Sequence, residues 1–599
     1  MGEKKLLTGD EAVARGAWEA GLLFASAYPG TPSTEILENL AEYKPDVYAE
    51  WAPNEKVALE SAIGASMAGV RSLAAMKHVG VNVAADPLFT FSYTGVTGGM
   101  VLVSADDPGL HSSQNEQDNR NYANAAKLLM LEPSDSAECV KFTKLGFELS
   151  ERFDTPVLLR MTTRVCHSKS LVELSERQEA PIIPYQPNIQ KYVMTPANAR
   201  VRRAKLSDRF QYELAFSEGE AVEMGLNRME LRATESAGEH IGVVCSGVAY
   251  QYAKEVFGEN ASYLKLGVTW PMPVNLVREF RSKVDKLYIV EEVDPYMENQ
   301  IRAAGIDCIG KEVIPEWDEL NTDIVRKAVF GQSSPTLTTE LETVARPPAL
   351  CAGCPHRGLF YALTKRKDII ITGDIGCYTL GSAPPLSAMH STFCMGGSIS
   401  TGHGAAKALE KAGSNLKIVA VIGDSTFFHT GVNSLMNVTY NGSNIITIIL
   451  DNRITAMTGQ QQNPGTGYTL QGEIAPEADI PKLCAAIGIK EENIFVVNPL
   501  RLDETNAALD KAFASDNASV IITKWPCILK KLQGEETSLY ESLGNVCYID
   551  QEKCKNCKIC TKTGCVAIYN GDRVEINEAM CVGCTLCIQT CPFDAIIER

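Results

Sequence analysis

Short apolar runs alternate with longer stretches of mixed polarity along most of the chain, and Gly, Pro or Asn turns close nearly every run. Within residues 1–180 the runs are GLLFASAYPGTPS, RSLAAMKHVGVN, GGMVLVSADDPG and TPVLLRMTT, with a helix predicted from Asn54 to Gly69. Apolar strands separated by helical stretches indicate a parallel sheet covered on both faces. The rhythm restarts over 237–335 with GEHIGVVCSG, SYLKLGV and KLYIVEEV, and again over 336–540, where LKIVAVIGD and NIITIILDN are the strongest strands. Residues 181–236 break it. They are polar, carry Pro181, Pro184, Pro187, Pro196 and the basic stretch VRRAK, and read as a linker or a poorly packed extended arm. Residues 541–599 are a near-duplication, YIDQEKCKNCKICTKTGCVAI followed by VEINEAMCVGCTLCIQTCPFDAI. The pattern predicts an α/β protein with three parallel-sheet domains and a small α+β tail.

The chain has 599 residues, enough for roughly four domains at about 150 residues each. With 22% charged and 45% hydrophobic residues it is of ordinary globular composition, which excludes a disordered or collagen-like chain. Net charge is −17 and no basic tract stands out, so neither nucleic acid nor an anionic membrane surface is an expected partner. The opening MGEKKLLTGDEAVARG lacks the apolar core of a signal peptide, and runs such as Ile445 to Leu450 are far below bilayer-spanning length. A cytoplasmic location is expected.

Cysteine changes the picture most. Of 19 cysteines, eight crowd the last 46 residues, and metal ligation is the default for such density in a chain not marked for export. The second repeat reads Cys581-x2-Cys584-x2-Cys587-x3-Cys591-Pro592, the run of two-cluster ferredoxins, in which the fourth Cys ligates the other cluster. The first reads Cys554-x2-Cys557-x2-Cys560-x4-Cys565-Val566, one residue longer and without the Pro. Paired C-x2-C zinc sites would not use triplets with a distant fourth thiolate. By the crossing rule one [4Fe-4S] cluster takes Cys554, Cys557, Cys560 and Cys591, and the other takes Cys581, Cys584, Cys587 and Cys565. The tail is predicted to carry electrons one at a time.

In the third block Gly423-Asp424-Ser425 ends one strand and Asp451-Asn452 ends the next, Gly423 to Asn452 spanning 30 residues. Parallel strands would bring both to one carboxyl edge, where a carboxylate, an amide oxygen and a carbonyl suit Mg²⁺. Gly-Asp alone is common by accident, but Gly396-Gly397, Gly402-His403-Gly404 and Thr455 to Gly459 flank the same strands. The spacing resembles the thiamine diphosphate (TPP) fingerprint. That resemblance implies Asp424, Asn452 and the Ile454 carbonyl as Mg²⁺ ligands, with Gly423, Ser425, Gly402 and His403 on the cofactor. Ser425 stands where the fingerprint has Gly, which bears on how closely the backbone can approach the diphosphate.

In the first block Glu55, opening a helix, fits the place of the glutamate that holds a proton against the aminopyrimidine ring in TPP enzymes; Glu60 competes for the role. Tyr28-Pro29-Gly30-Thr31-Pro32-Ser33 is similar to a segment of the 2-oxoacid:ferredoxin oxidoreductases, and the likeness implies that Thr31 contacts the substrate carboxylate. On the same likeness Arg120 binds that carboxylate as a bidentate cation, and His78, with Lys77, faces the substrate. Cys351-x2-Cys354, Cys377 in GDIGC, and Cys527, with Cys394 its rival, match a third cluster of that family; the alternative is buried structural thiols. Cys139, Cys166, Cys245, Cys308, Cys484 and Cys547 are read as core residues.

The order of these markers, with GVVCSG, YIVEEVDPYMENQ, CAGCPHRG and GDSTFFHTG, resembles the large (alpha) subunits of the indolepyruvate branch of that family over essentially the whole chain. The likeness implies a pyrimidine-binding domain at 1–180, a transketolase-C-like domain at 237–335, a diphosphate-binding domain at 336–540 and a ferredoxin domain at 541–599. It further implies arylpyruvate substrates, coenzyme A as acyl acceptor, ferredoxin as electron acceptor and a smaller beta subunit. Two rivals have different signatures. A non-oxidative TPP decarboxylase would leave the eight-cysteine tail without a task, and a pure electron relay would not need Glu55, Asp424 and Asn452 together.

Overall fold

A computed structural model describes residues 3–232, 239–335, 340–344, 347–540 and 543–599, so the junctions drawn at 236/237, 335/336 and 540/541 fall on or beside residues outside that set. The chain divides into two compact units, Met1–Glu340 and Leu341–Arg599.

The first unit is built on a seven-stranded sheet among the described residues. Its order is Val268–Trp270, Met130–Leu131, Val157–Thr162, Met100–Asp106, Ser72–Lys77, Phe24–Ala27 and Tyr48–Trp51, parallel except at the first pair. The central strands Met100–Asp106 and Val157–Thr162 are buried at every position, which is why they read as continuous rather than alternating apolar runs. A four-stranded sheet follows, ordered Lys286–Val290, Ile241–Ser246, Ala261–Leu266 and Arg228–Glu230. The blocks 1–180 and 237–335 share structure: Val268–Trp270 edges the seven-stranded sheet, and one core joins Leu102, Met130 and Leu158 to Val244, Leu264, Phe280 and Ile289.

The segment 181–236 differs from the extended arm expected of it. After an irregular stretch to Asn188 it forms the 23-residue helix Pro196–Glu218, with Thr195 as N-cap and Pro196 in its first turn. Its buried face hides from a hydropathy reading because arginines help build it. Arg202 donates to the carbonyls of Tyr93 and Thr94 and Arg209 to that of Ser92, satisfying the last carbonyls of the helix Ala85–Thr94 and complementing its dipole.

The second unit holds a five-stranded parallel sheet in the order Ile369–Thr372, Lys417–Gly423, Ile446–Asp451, Ser519–Lys524 and Ile494–Val497. Both faces are covered: Val419 and Val421 pack into one core, Ile418, Ala420 and Ile422 into the other. In the tail, Cys547–Ile549 pairs antiparallel with Ile596–Glu598, and Ile568–Asn570 with Val574–Ile576. No described helix is long and apolar enough to cross a membrane.

Candidate functional site

At the carboxyl edge of the five-stranded sheet, Gly423 and Leu450 are register partners, so Asp424 and Asn452 follow adjacent parallel strands. Asp424 is buried and accepts from Asn463 Nδ2 at 3.1 Å; burial and the neighbouring Asp451 charge push its carboxyl up to about 8. Asn452 Oδ1 accepts from the Ile454 amide at 3.2 Å, and its Nδ2 lies 3.4 Å from His356 Nε2. Burial pulls His356 down to about 4, so its neutral ring can accept from Asn452 and turn the amide oxygen toward the Ile454 loop. A buried carboxylate, an amide oxygen and the backbone around Ile454 make a hard oxygen donor set, which fits Mg²⁺. Ser425 Oγ accepts from Thr455 Oγ1 at 2.8 Å, and Asp424 opens a helical segment that passes through a π-turn at Phe427–Gly431, a distortion frequent at functional sites. At Gly423 a Cβ would lie 2.6 Å from the Tyr378 ring, so only glycine lets the strand end so close to it.

Gly402 and His403, expected on the cofactor, lie elsewhere. Gly402 faces the sheet in mid-helix, where a Cβ would come within 2.9 Å of Thr372 Oγ1 and 3.1 Å of Ile418 Cγ2. His403 Nδ1 pairs with Ser443 Oγ at 2.7 Å, and Ser443 precedes the amino end of Ile446–Asp451. The pair therefore sits away from the carboxyl edge that carries Asp424. The N-terminal turn of the same helix, Gly397–Lys411, is the part near that edge: Asp374 accepts there from the Gly396 and Ser398 amides at 2.8 and 3.0 Å.

Cys554, Cys557, Cys560 and Cys591 line one cavity of the tail, and Cys565, Cys581, Cys584 and Cys587 line a second. Backbone amides of Asn556 and Ala595 reach Cys554 and Cys591 Sγ at 3.4 Å, and that of Cys547 reaches Cys581 Sγ at 3.3 Å, the N–H···S contacts by which proteins tune cubanes. Eight thiols gathered in two fours fit two [4Fe-4S] clusters. Cys547, read as a core residue, lines the second cavity as well. The wall of that cavity also includes Ala352, Gly353 and Arg357, and Arg357 Nη1 donates to the Thr563 carbonyl at 3.0 Å. Burial raises the Cys354 and Cys377 thiols, and the nearby Cys351 and Cys527 add to both shifts, whereas Cys394 neighbours Asp374. The Cys527 amide donates to the Asn452 carbonyl at 2.9 Å.

In the first unit, the carboxyl ends of three neighbouring strands gather Tyr28 to Ser33, Lys77 and Glu55. Asn54 caps the helix Glu55–Met67 by accepting from the Val57 amide at 2.9 Å, which fixes Glu55 in its first turn. Glu55 is buried against Gly80, where a Cβ would lie 2.8 Å from its Oε1; Glu60 is exposed and paired with Lys56. Thr31 is half-buried and its carbonyl accepts from Ser112 Oγ at 3.3 Å, while Lys77 Nζ donates to the Ser112 carbonyl at 2.9 Å. Burial lowers the Lys77 ammonium, and the Asp107 and Glu55 charges oppose that shift.

Two residues expected to contact substrate are buried among protein groups. Arg120 is 1% exposed and its guanidinium is held by Asp118, by Glu291 at 2.7 Å and by the carbonyls of Glu292 and Asp294. These contacts lock the two blocks of the first unit together. His78 is fully buried, with Nε2 3.1 Å from the Asn115 carbonyl. Both residues occupy motif positions, but Asn115 and Asn119 close over His78, and Asp118 with Glu291 to Asp294 encloses Arg120.

Comparison with known proteins decides the family. Residues 15–229 match the thiamine-diphosphate-binding family of pyruvate flavodoxin/ferredoxin oxidoreductases, 374–523 the C-terminal TPP-binding domain of thiamine pyrophosphate enzymes, and 574–597 the 4Fe-4S binding domain. Indolepyruvate oxidoreductase subunit IorA of Methanothermobacter thermautotrophicus is 42% identical, covering 99% of this chain and 97% of that protein. The IorA subunits of Archaeoglobus fulgidus and Pyrococcus horikoshii are 39% and 38% identical with the same coverage. The chain belongs to the IorA family.

As an IorA-family chain it is a TPP-dependent, iron–sulfur-linked oxidoreductase of the 2-oxoacid:ferredoxin class, with TPP and [4Fe-4S] clusters as its cofactors. The pyruvate oxidoreductase family match extends to residue 229, through the helix Pro196–Glu218. Residues missed in the sequence reading are those that hold the others: His356 and Asn463 behind Asn452 and Asp424, Asp374 at a helix start, and Gly80 behind Glu55. His356 lies within the CAGCPHRG motif and Gly80 within the run RSLAAMKHVGVN, both usable signals; Asn463 carries none that spacing would pick out.

Proposed function

We propose that this chain oxidatively decarboxylates arylpyruvates, indolepyruvate foremost, to aryl-acetyl-coenzyme A in the cytoplasm, together with a smaller beta subunit and with ferredoxin as electron acceptor. Per turnover the 2-oxoacid loses carbon dioxide, its acyl carbon gives up electrons singly to ferredoxin, the coenzyme A sulfur takes the acyl group and a proton is released. The observation that carries the reading is continuity within the second unit. The loop between Cys351 and Cys354 walls the cavity of Cys581, Cys584 and Cys587, and Cys527, neighbour to those loop thiols, bonds the Asn452 carbonyl. Electrons leaving a cofactor at the Asn452 edge thus meet thiols at each stage. Asp424, Asn452 and the Ile454 carbonyl would hold Mg²⁺, whose part there would be to anchor a diphosphate. When bound, TPP supplies the electron sink for decarboxylation. Glu55 holds a proton for it, and half-buried Lys77 beside Thr31 takes the substrate carboxylate in place of Arg120.

The assay is reduction of ferredoxin or methyl viologen by the assembled enzyme across a panel of 2-oxoacids, with and without coenzyme A. Highest kcat/KM for indolepyruvate, dependent on coenzyme A, is expected; a preference for pyruvate or 2-oxoglutarate would reassign the substrate, and decarboxylation without dye reduction would make it a non-oxidative enzyme.

The third thiol set gives a separate expectation. Purified protein should contain about 12 Fe per chain, at four per cubane, and Cys527→Ala should lower this to about 8 while Cys394→Ala leaves it unchanged. A count of about 8 in the unmodified protein would return Cys351, Cys354, Cys377 and Cys527 to the status of structural thiols.

A further inference from the structure

Away from the residues assigned above, the first unit brings together Asp10, Glu35 and His167, whose candidate ligand atoms all lie within 4.8 Å of one another. Each comes from a different element: Asp10 from the first turn of Gly9–Glu19, Glu35 from the first turn of Thr34–Ala41, and His167 from the end of Thr163–His167. The approach is close and built in. At Gly9 a Cβ would fall 2.2 Å from the Val165 carbonyl oxygen, so only glycine lets the first helix start against the segment that carries His167.

Asp10 is fully buried beside the Cys166 thiol, and neither of its carboxylate oxygens has a well-formed hydrogen bond among the described residues. Glu35 Oε2, also buried at the atom, has none either, and it lies 3.9 Å from His167 Nε2. Buried polar atoms are nearly always paired, so three unpartnered carboxylate oxygens in one place need an explanation. Two carboxylates at this separation repel unless a proton or a cation lies between them. A shared proton would account for the carboxylates alone. The imidazole converging on the same point is what a metal requires, and His167 and Glu35 are partly exposed, which leaves an entry path and room for a water ligand.

We propose that Asp10, Glu35 and His167 bind a divalent cation of the zinc class. Two carboxylate oxygens, one imidazole nitrogen and a water complete a tetrahedral shell of the kind zinc adopts. Glu35 follows the turn Tyr28 to Ser33 by two residues, so the ion would tie that turn, and Thr31 within it, to the helix start at Asp10 and to His167. Its role is structural.

The test uses the iron-replete full-length protein with its beta subunit, stripped with EDTA and titrated with ZnCl2 under calorimetry, with metal content read by mass spectrometry. One zinc per chain is expected, with a higher melting midpoint in its presence. His167→Ala, a replacement at a partly exposed side chain, should weaken zinc binding by about 100-fold or more, roughly one ligand's share of a structural zinc site. Asp10→Asn, which keeps side-chain volume, should do the same and abolish the zinc-dependent melting shift. No zinc uptake would overturn the proposal and leave a proton shared by Asp10 and Glu35. Zinc uptake of equal affinity in both variants would overturn it too, by moving the metal to cysteine thiols.

Discussion

Glu55→Gln is expected to lower kcat/KM for 2-oxoacid oxidation by about 10² to 10⁴-fold, the range a positioned acid–base group contributes, while TPP stays bound. Glutamine keeps the shape of the side chain and suits the first turn behind the Asn54 cap, so the helix Glu55–Met67 should be undisturbed. What is lost is an ionisable proton at one buried atom. The control is Glu60→Gln, because Glu60 is exposed and paired with Lys56 on the helix surface; its activity should be unchanged. Gly80→Ala probes the same atom from behind. Its new methyl would sit 2.8 Å from Glu55 Oε1 and must displace the carboxylate, so activity should fall with the residue identity intact. Steady-state kinetics with TPP content measured on the same samples checks all three. Activity retained in Glu55→Gln would move the proton-holding role to another group.

Arg120→Met is expected to destabilise the first unit by about 3–5 kcal/mol, the cost of breaking a buried ion pair from one side. On the scale of large domains this is on the order of 5–10 °C in melting midpoint. The variant would leave Asp118 and Glu291 buried, each 1% exposed or less at its side chain, without their shared guanidinium. Burial alone would raise the Asp118 carboxyl, but the Arg120 and Arg160 charges hold it below its ordinary value. Its contribution to stability is therefore present above the unfolded pKa of about 3.9 and is lost as pH falls below it. Without Arg120 the sign reverses, because the folded state then favours the protonated acid. The stability gap between the variant and the parent should accordingly narrow from pH 7 toward pH 4, as thermal melts across pH would record. If Arg120→Met melted like the parent and only raised KM, a substrate role for Arg120 would be restored.

Much of the site was legible because its chemistry depends on local spacing. Triplets of cysteine two residues apart announce a cubane whatever surrounds them, since the turn that binds it is made by the intervening residues themselves. Gly-Asp and Asp-Asn at the ends of successive apolar strands could be placed together because adjacent parallel strands align their carboxyl ends. Side-chain direction was not legible. Gly402 and His403 belong to a glycine-rich motif whose helix starts near the carboxyl edge, yet His403 pairs with Ser443, before the amino end of Ile446–Asp451. The helix Pro196–Glu218 was invisible to hydropathy because its buried face seats arginines on the carbonyl end of another helix.

By itself the sequence determined the α/β class, the two four-cysteine sets with their crossed order, and the pairing of Asp424 with Asn452, all properties carried by near neighbours or by strand periodicity. Only the tertiary structure decided which charged motif residues are buried and that Asp10 meets His167. Those outcomes rest on contacts between residues far apart in the chain, where burial and the satisfaction of polar groups are settled by the packing of whole elements and leave no fixed spacing behind.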